Sequence, residues 1–289
     1  MNKIIVVGSS SIDLIVNTHK IPDAGETVLG ESFFTSPGGK GANQAVSAAR
    51  LSSQVYMIGA VGNDAYGTRV INNLKENNVN TDFMDVIEDV ETGTAHITLF
   101  DNDNRIIVIP GANNYITPQK VLPKLDFFNE DDIILLQQEI PAETVDAVVN
   151  YAFTNNLKVI LNPAPYRTIA QQTIDKVTYL TPNESENELL FGKDLEKMLE
   201  HYRKKLIVTR GDQGAVYFDT AVRNIAGHQQ KVVDTTGAGD TFNGALAVAL
   251  IENKNLAEAI DFANKAGSLS VTRLGAQGAM PYRKEMKSK

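Results

Sequence analysis

The chain has 289 residues, with 27 Lys+Arg against 35 Asp+Glu for a net charge of −8, and 43% hydrophobic residues. That much chain can bury the core of one large α/β domain, or of a main domain with a small appendage. Its negative field argues against a general nucleic-acid or membrane-surface binder, and the absence of cysteine excludes disulfides, thiolate metal sites and cysteine nucleophiles, in keeping with a reducing compartment.

At the N-terminus, Met1-Asn2-Lys3 runs directly into Ile4-Ile5-Val6-Val7, which stops at Gly8. The run is too short for a secretory segment and reads as a first buried strand. No stretch reaches the roughly 18–20 consecutive apolar residues that a membrane span needs, so a soluble cytoplasmic protein is expected. Further buried strands are predicted at 55–59, 132–137, 158–161, 178–180 and 205–209, with amphipathic helices at 41–51, 66–77 and 144–154 between them. Alternation of this kind predicts an α/β fold with a doubly wound, mostly parallel sheet and helices on both faces.

Two regions break the rhythm. Residues 13–36 read as extended pieces at 13–17 and 31–36, joined through Pro22-Asp23-Ala24-Gly25. Residues 93–109 read as a hairpin, 94–100 and 105–109 around Asp101-Asn102-Asp103-Asn104. Such strands cannot serve as βαβ partners and are expected to form a second, small sheet, either a mobile flap over a site or an edge decoration. The predicted division is therefore a main domain of residues 1–12, 37–92 and 110–289, and a β lid of 13–36 and 93–109. Past Thr209 come antiparallel pieces at 215–219 and 222–225, a short strand at 231–233, and closing helices at 240–252 and 256–271.

The most informative segment is Val232-Val233-Asp234-Thr235-Thr236-Gly237-Ala238-Gly239-Asp240-Thr241-Phe242. Small residues turn the chain into a helix whose first N–H groups are left free, a ready anion site. A carboxylate there, Asp240, would repel a phosphate. It makes sense as the acceptor of a proton from a nucleophile attacking that phosphate, or merely as a helix cap. A second glycine turn, Pro37-Gly38-Gly39-Lys40-Gly41-Ala42-Asn43-Gln44, lacks the Ser or Thr of a P-loop after Lys40 and the third glycine of a dinucleotide fingerprint. Lys40 and Asn43 stand where they could hydrogen-bond the hydroxyls of a small polar ligand, or be plain turn residues.

In Thr181-Pro182-Asn183-Glu184-Ser185-Glu186, Asn183 and Glu186 share a helical face. They suit either a hydrated hard cation with a polyphosphate or a simple capping box. Thr209-Arg210-Gly211 ends a buried strand, where a cofactor could meet the strand carboxyl ends or a hairpin could turn. Asp13 and Glu139 follow two predicted strands at the same sheet edge. The four histidines have no ligand spacing, and no Gly-x-Ser-x-Gly elbow occurs.

Taken in order, Gly39–Val46, Asn183-Glu184-Ser185-Glu186, Val208-Thr209-Arg210-Gly211 and Asp234–Phe242 resemble the successive signatures of the PfkB sugar-kinase family, and the similarity extends over nearly the whole chain. Gly25-Glu26-Thr27, Asn162-Pro163-Ala164-Pro165 and Val271-Thr272-Arg273 through Gly275-Ala276-Gln277 are most similar to its members that act on D-ribose. The resemblance implies ATP-dependent phosphorylation of the ribose 5-hydroxyl, with 2-deoxyribose, another sugar or a nucleoside as the alternative substrate. It assigns Asp240 as general base and the amides of Gly237, Ala238 and Gly239 as an anion hole. It gives sugar binding to Ser11, Asp13, Gly39, Lys40, Asn43 and Glu139. Asn183 and Glu186 organise Mg2+ and phosphate, and Thr209, Gly211, Gly239 and Asn264 meet the nucleotide. A monovalent cation, usually K+, falls to Asp234, Thr236, Ser270, Arg273 and Gly275. The lid strands would pair two copies into a homodimer. Two departures from the pattern bear on this. Ser11 replaces an Asn near the sugar's 2-hydroxyl, and Ala279 replaces a Ser that helps hold the cation in some relatives.

Overall fold

The structure, a computed structural model, describes residues 2–51, 54–101 and 103–287. In chain order, β1 (Lys3–Val7), β2 (Ser11–Asn17) and β3 (Ser32–Gly38) lead into α1 (Lys40–Arg50), β4 (Gln54–Gly62), α2 (Ala65–Glu76) and β5 (Val79–Ile87). The hairpin β6 (Thr94–Phe100) and β7 (Asp103–Ile109) follows, then α3 (Pro118–Leu125), β8 (Ile133–Leu136), α4 (Ala142–Thr154), β9 (Lys158–Leu161) and α5 (Gln171–Lys176). The rest is β10 (Tyr179–Leu180), α6 (Glu184–Phe191), α7 (Leu195–His201), β11 (Ile207–Thr209), β12 (Ala215–Phe218), β13 (Val222–Ile225), α8 (Ala238–Ile251), α9 (Leu256–Ser270) and α10 (Ala276–Ala279).

Six strands form a parallel sheet in the order β10-β9-β8-β1-β4-β5. Its strands are apolar on both sides because both sides are covered. Ile4 and Val6 face one buried cluster with residues of α1, α8 and α9, while Ile5 and Val7 face a second with residues of α3, α4 and α7. Single parallel bridges, Leu180 to Leu206 and Asn183 to Thr209, carry the sheet on to β11 and its antiparallel partners β12 and β13. From β1 the chain winds outward through β4 and β5, then returns to β8 on the other side of β1 and winds the opposite way. The carboxyl ends of β1 and β8 thus flank the switch point, the place where open α/β sheets leave a crevice.

The second sheet has the order β3-β2-β6-β7. It is mixed rather than purely antiparallel, since β2 and β6 run parallel. Strand 94–100 has its expected ends, while the other three strands start or end one or two residues from the expected positions. Asn102 of the expected turn lies outside the described residues, as do Met1 and residues 52–53 and 288–289 of the expected main domain.

Two expectations need correction. The strand at 79–87 was not foreseen, because its apolar residues are interrupted by Asn80, Thr81, Asp82 and Asp85; it is the sheet edge and only half-buried. Residues 231–233 are no strand: Val232 and Val233 are exposed, and the Val233 N–H donates to the Val271 carbonyl at 2.7 Å, fixing a loop beside α9.

Candidate active site

The switch point collects its residues from four directions. Gly8 and Ser9 leave β1, and Gln137, Gln138 and Glu139 leave β8. The Ser9 hydroxyl donates to Glu139 Oε2 at 2.6 Å, and the Lys40 N–H donates to the same oxygen at 2.9 Å. Glu139 therefore ties β1, β8 and the start of α1 together. Gly39 has φ 87, and a Cβ on it would come 2.7 Å from Ser10 Cα. At Gly41 a Cβ would meet the Gly8 carbonyl carbon, the Ser9 nitrogen and the Ser9 carbonyl oxygen, each at 2.6 Å. These glycines let α1 enter against β1 with backbone touching backbone. A Gly41→Ala chain is expected to lose about 1–3 kcal/mol of stability, the usual cost of overpacking a site that cannot yield, read as a lower denaturant midpoint; an unchanged midpoint would contradict this close approach.

Asp240 lies at the N-terminus of α8, 6% exposed. Asn43 Nδ2 donates to its Oδ2 at 2.9 Å and Gln44 Nε2 to its Oδ1 at 3.1 Å, both from α1. Burial pushes its carboxyl above the ordinary range; the Lys40 ammonium and the two amides act against that, while Glu139 adds to it. Lys40 is held in the charged form chiefly by Asp240, with Glu139 and Glu186 assisting against desolvation. Asp13 lies on β2 within the small sheet, with the Ser11 hydroxyl 3.5 Å from its Oδ1 and Gly38 packed against its carboxyl. Burial, with Glu139 and Asp240 adding repulsion, lifts it to about 6. Acceptor-only carboxylates around one ammonium, with hydroxyls and amides between them, suit a neutral ligand that offers several O–H donors.

Beside Ala238 and Gly239, the two residues before Asp240, opens a cleft of about 470 Å³ also lined by Thr209, Gly211, Asn264 and neighbouring residues. Gly237 caps α8 in the left-handed conformation, φ 77. Its N–H and that of Gly239 have no acceptor among the described residues, whereas the Ala238 N–H donates to the Thr235 carbonyl at 3.2 Å. A Cβ on Gly239 would meet nothing, so its backbone faces open cleft. The Asn264 amide donates to the carbonyls of Ile225 and Ala226, fixing the cleft wall.

Asn183 and Glu186 form a reciprocal capping box at α6, at 2.8 and 2.9 Å. The capping reading is thus realised. Glu186 is also raised by burial while feeling Lys40 and Asp240, so its carboxyl borders the same space. Asp234 accepts the N–H and hydroxyl of Thr236 on Oδ1 and the Gly275 N–H on Oδ2 at 2.8 Å. Burial alone would raise it, but these donors together hold it below the usual range. Ser270 and Arg273 do not join that cluster through their side chains: the Ser270 hydroxyl donates to the Gly267 carbonyl and the Arg273 guanidinium pairs with Glu285.

Sequence reasoning missed Ser9, Gln44, Gln137 and Gln277, which hold the named residues in place. One signal was present, the buried run 133–136 ending in Gln137-Gln138-Glu139 at the ligand edge.

The profile of the "pfkB family carbohydrate kinase" matches residues 1–283. The ribokinase of Bacillus subtilis is 53% identical over 288 residues, covering 99% of this chain and 98% of its own. That of Lactococcus lactis is 48% identical over 292 residues, covering 100% and 97%. The structure of Arabidopsis thaliana ribokinase complexed with ribose and ATP superposes with a TM-score of 0.91 at 32% identity, covering 99% of this chain and 97% of that one.

Proposed function

The chain belongs to the pfkB family of carbohydrate kinases, and from that membership we propose that it phosphorylates D-ribose at the 5-hydroxyl with ATP. One observation carries the reading: a buried carboxylate, Asp240, directly follows Gly239, whose free N–H belongs to the cleft lining, and shares its electrostatic surroundings with Lys40, Glu139 and Asp13.

Sugar hydroxyls donate to Asp13 and Glu139 and accept from Lys40 and Asn43, which leaves the primary hydroxyl beside Asp240. That hydroxyl passes its proton to the Asp240 carboxylate as its oxygen attacks the γ-phosphorus, the bond to the bridging oxygen breaks, and ADP departs. Charge on the migrating PO3 group is gathered by the Gly237 and Gly239 N–H groups, joined by Ala238 once its N–H leaves the Thr235 carbonyl. The adenine nucleotide lies along Thr209, Gly211 and Asn264.

Glu186, set by Asn183 in the capping box and bordering Lys40 and Asp240, would hold a Mg2+ ion brought in with ATP, which would neutralise charge on the phosphates. The Asp234 carboxylate, kept anionic by Thr236 and Gly275, fits a K+ ion, with Ser270 and Arg273 contributing only through their carbonyls. Activity unchanged when K+ is replaced by a bulky organic cation would remove that site.

The small sheet is the lid, and the protein works in the cytoplasm as a homodimer. Exposed Phe33 and Phe34 on β3 and Ile106, Ile107, Val108 and Ile109 on β7 support pairing of two lids, and sedimentation showing only monomers at micromolar concentration would refute it. The substrate assignment is tested by ADP release on adding ribose, 2-deoxyribose or fructose. Ribose is expected to be preferred, since Ser11 directs its hydroxyl to Asp13 near the sugar; equal rates would overturn the preference.

A further inference from the structure

Each oxygen of Asp240 receives one side-chain amide, and each of those amides is gripped from behind by another. Gln44 Nε2 donates to Oδ1, and Gln137 Nε2 donates to Gln44 Oε1 at 2.7 Å. Asn43 Nδ2 donates to Oδ2, and Gln277 Nε2 donates to Asn43 Oδ1 at 2.9 Å. All four amides are buried. A primary amide has nearly the same shape when turned by half a revolution but the opposite polarity. Packing therefore cannot choose between the two orientations, and the wrong one would set a carbonyl oxygen against the carboxylate. A donor on the far end adds to the choice, and on the Gln44 arm it acts beside Asn162, whose Oδ1 accepts from Gln44 Nε2 at 3.2 Å.

We propose that Gln137 and Gln277 are positioning residues, which touch neither sugar nor nucleotide but lock Gln44 and Asn43 with their N–H groups turned toward Asp240. This rests on Asp240 being the base.

The cost of the arrangement supports it. Gln137 Oε1 is buried without a hydrogen-bond partner among the described residues, and a Cβ on Gly8 would stand 2.0 Å from it. An apolar side chain of equal volume would avoid that penalty. What the glutamine supplies in return is the bond to Gln44. On the other arm, the Arg50 guanidinium anchors the main chain by donating to the Gln277 backbone carbonyl, and Asn73 Nδ2 donates to the side-chain Oε1 of Gln277 at 2.6 Å. Gln277 can then offer Asn43 only its N–H end. The charged groups facing Asp240 are Lys40 of α1, Glu139 after β8, Asp13 of β2 and Glu186 of α6, and none is altered below.

The test uses Gln137→Met and Gln277→Met in the full chain. With sugar and ATP saturating, the acid limb of kcat is expected to move up by about one pH unit in each, a tenfold change in the ionisation constant. The ribose KM should stay within about twofold for Gln137→Met, and rise for Gln277→Met because Asn43 also serves the sugar. Variants that only melt earlier, with the limb unmoved, would overturn the proposal.

A second readout needs no turnover. Asp240→Asn removes a cost that the fold bears at alkaline and not at acid pH, since the carboxyl is raised in the fold. Its NH2 set against one donor amide adds a penalty that does not vary with pH, so the stability gap that reports on the carboxyl is the alkaline-minus-acid difference. That gap between each chain and its Asp240→Asn counterpart should be wider in the Gln137→Met and Gln277→Met backgrounds than in the wild type. Equal gaps would overturn the proposal. Wider gaps in a protein that phosphorylates no sugar would uphold it while refuting the function assigned to Asp240.

Discussion

Asp240→Asn is expected to lower kcat by about 10³-fold, while ribose and ATP still bind. General-base assistance is worth roughly 10²–10⁴. The amide keeps the shape but cannot take the hydroxyl proton, and its NH2 would face one of the two donors, Asn43 or Gln44. The carboxylate's burial makes it a stronger base than an ordinary carboxyl, because desolvation raises it more than Lys40 and the two amides lower it. The measurement is single-turnover kinetics beside calorimetric titration of both ligands. Turnover within a few-fold of wild type would contradict the assignment, and a loss confined to binding would move Asp240 from the chemistry to sugar recognition.

Asp13→Asn is expected to raise the ribose KM by roughly 10²-fold and, at the same time, to stabilise the free protein. A hydrogen bond to an ionised group contributes about 1.5–3 kcal/mol, and exchanging the carboxylate for an amide weakens one or two such bonds to sugar hydroxyls. The stability sign follows from the carboxyl's elevation from 3.8 to about 6. Above pH 6 Asp13 is ionised in both states and the fold bears the repulsion of Glu139 and Asp240 and the desolvation. As the pH falls from about 6 toward about 4, the folded chain takes up the proton first and the cost disappears. The Asn chain should therefore melt at a higher temperature than wild type at about pH 8, with the difference closing below about pH 5. A lower melting temperature at pH 8 would show that Asp13 is a structural support rather than a ligand site held at a cost in stability. The same titration predicts a ribose KM for the wild type that rises as the pH drops through 6.

The sheet was legible wherever a strand is buried on both faces. Ile4-Ile5-Val6-Val7 and Ile133-Ile134-Leu135-Leu136 have no polar interruption because helices cover both sides. Edge strands carry no such signal, which is why Val79–Ile87 escaped. The lid was legible from what it lacked, namely helical periodicity between Asp13 and Ser36. Candidate site residues near helix starts, Lys40, Asn43, Asn183 and Asp240, were marked by glycine turns or capping spacing. Their supports were not. Ser9, Gln137 and Gln277 act across 130, 93 and 234 residues of sequence, and nothing local to a glutamine on a buried strand says which amide it will orient. The family resemblance supplied roles for Asp234, Ser270 and Arg273; geometry distinguishes among them, gathering Thr236 and Gly275 on Asp234 while the Arg273 guanidinium turns to Glu285.

Incubating ribose carrying 13C at C5 with ATP, and reading the product by NMR, tests the chemistry most directly. Phosphorus coupling at C5, with one ADP formed per ribose consumed, is the expected result. Phosphate on any other carbon, or ADP formed with ribose left intact, would contradict a primary hydroxyl placed against Asp240.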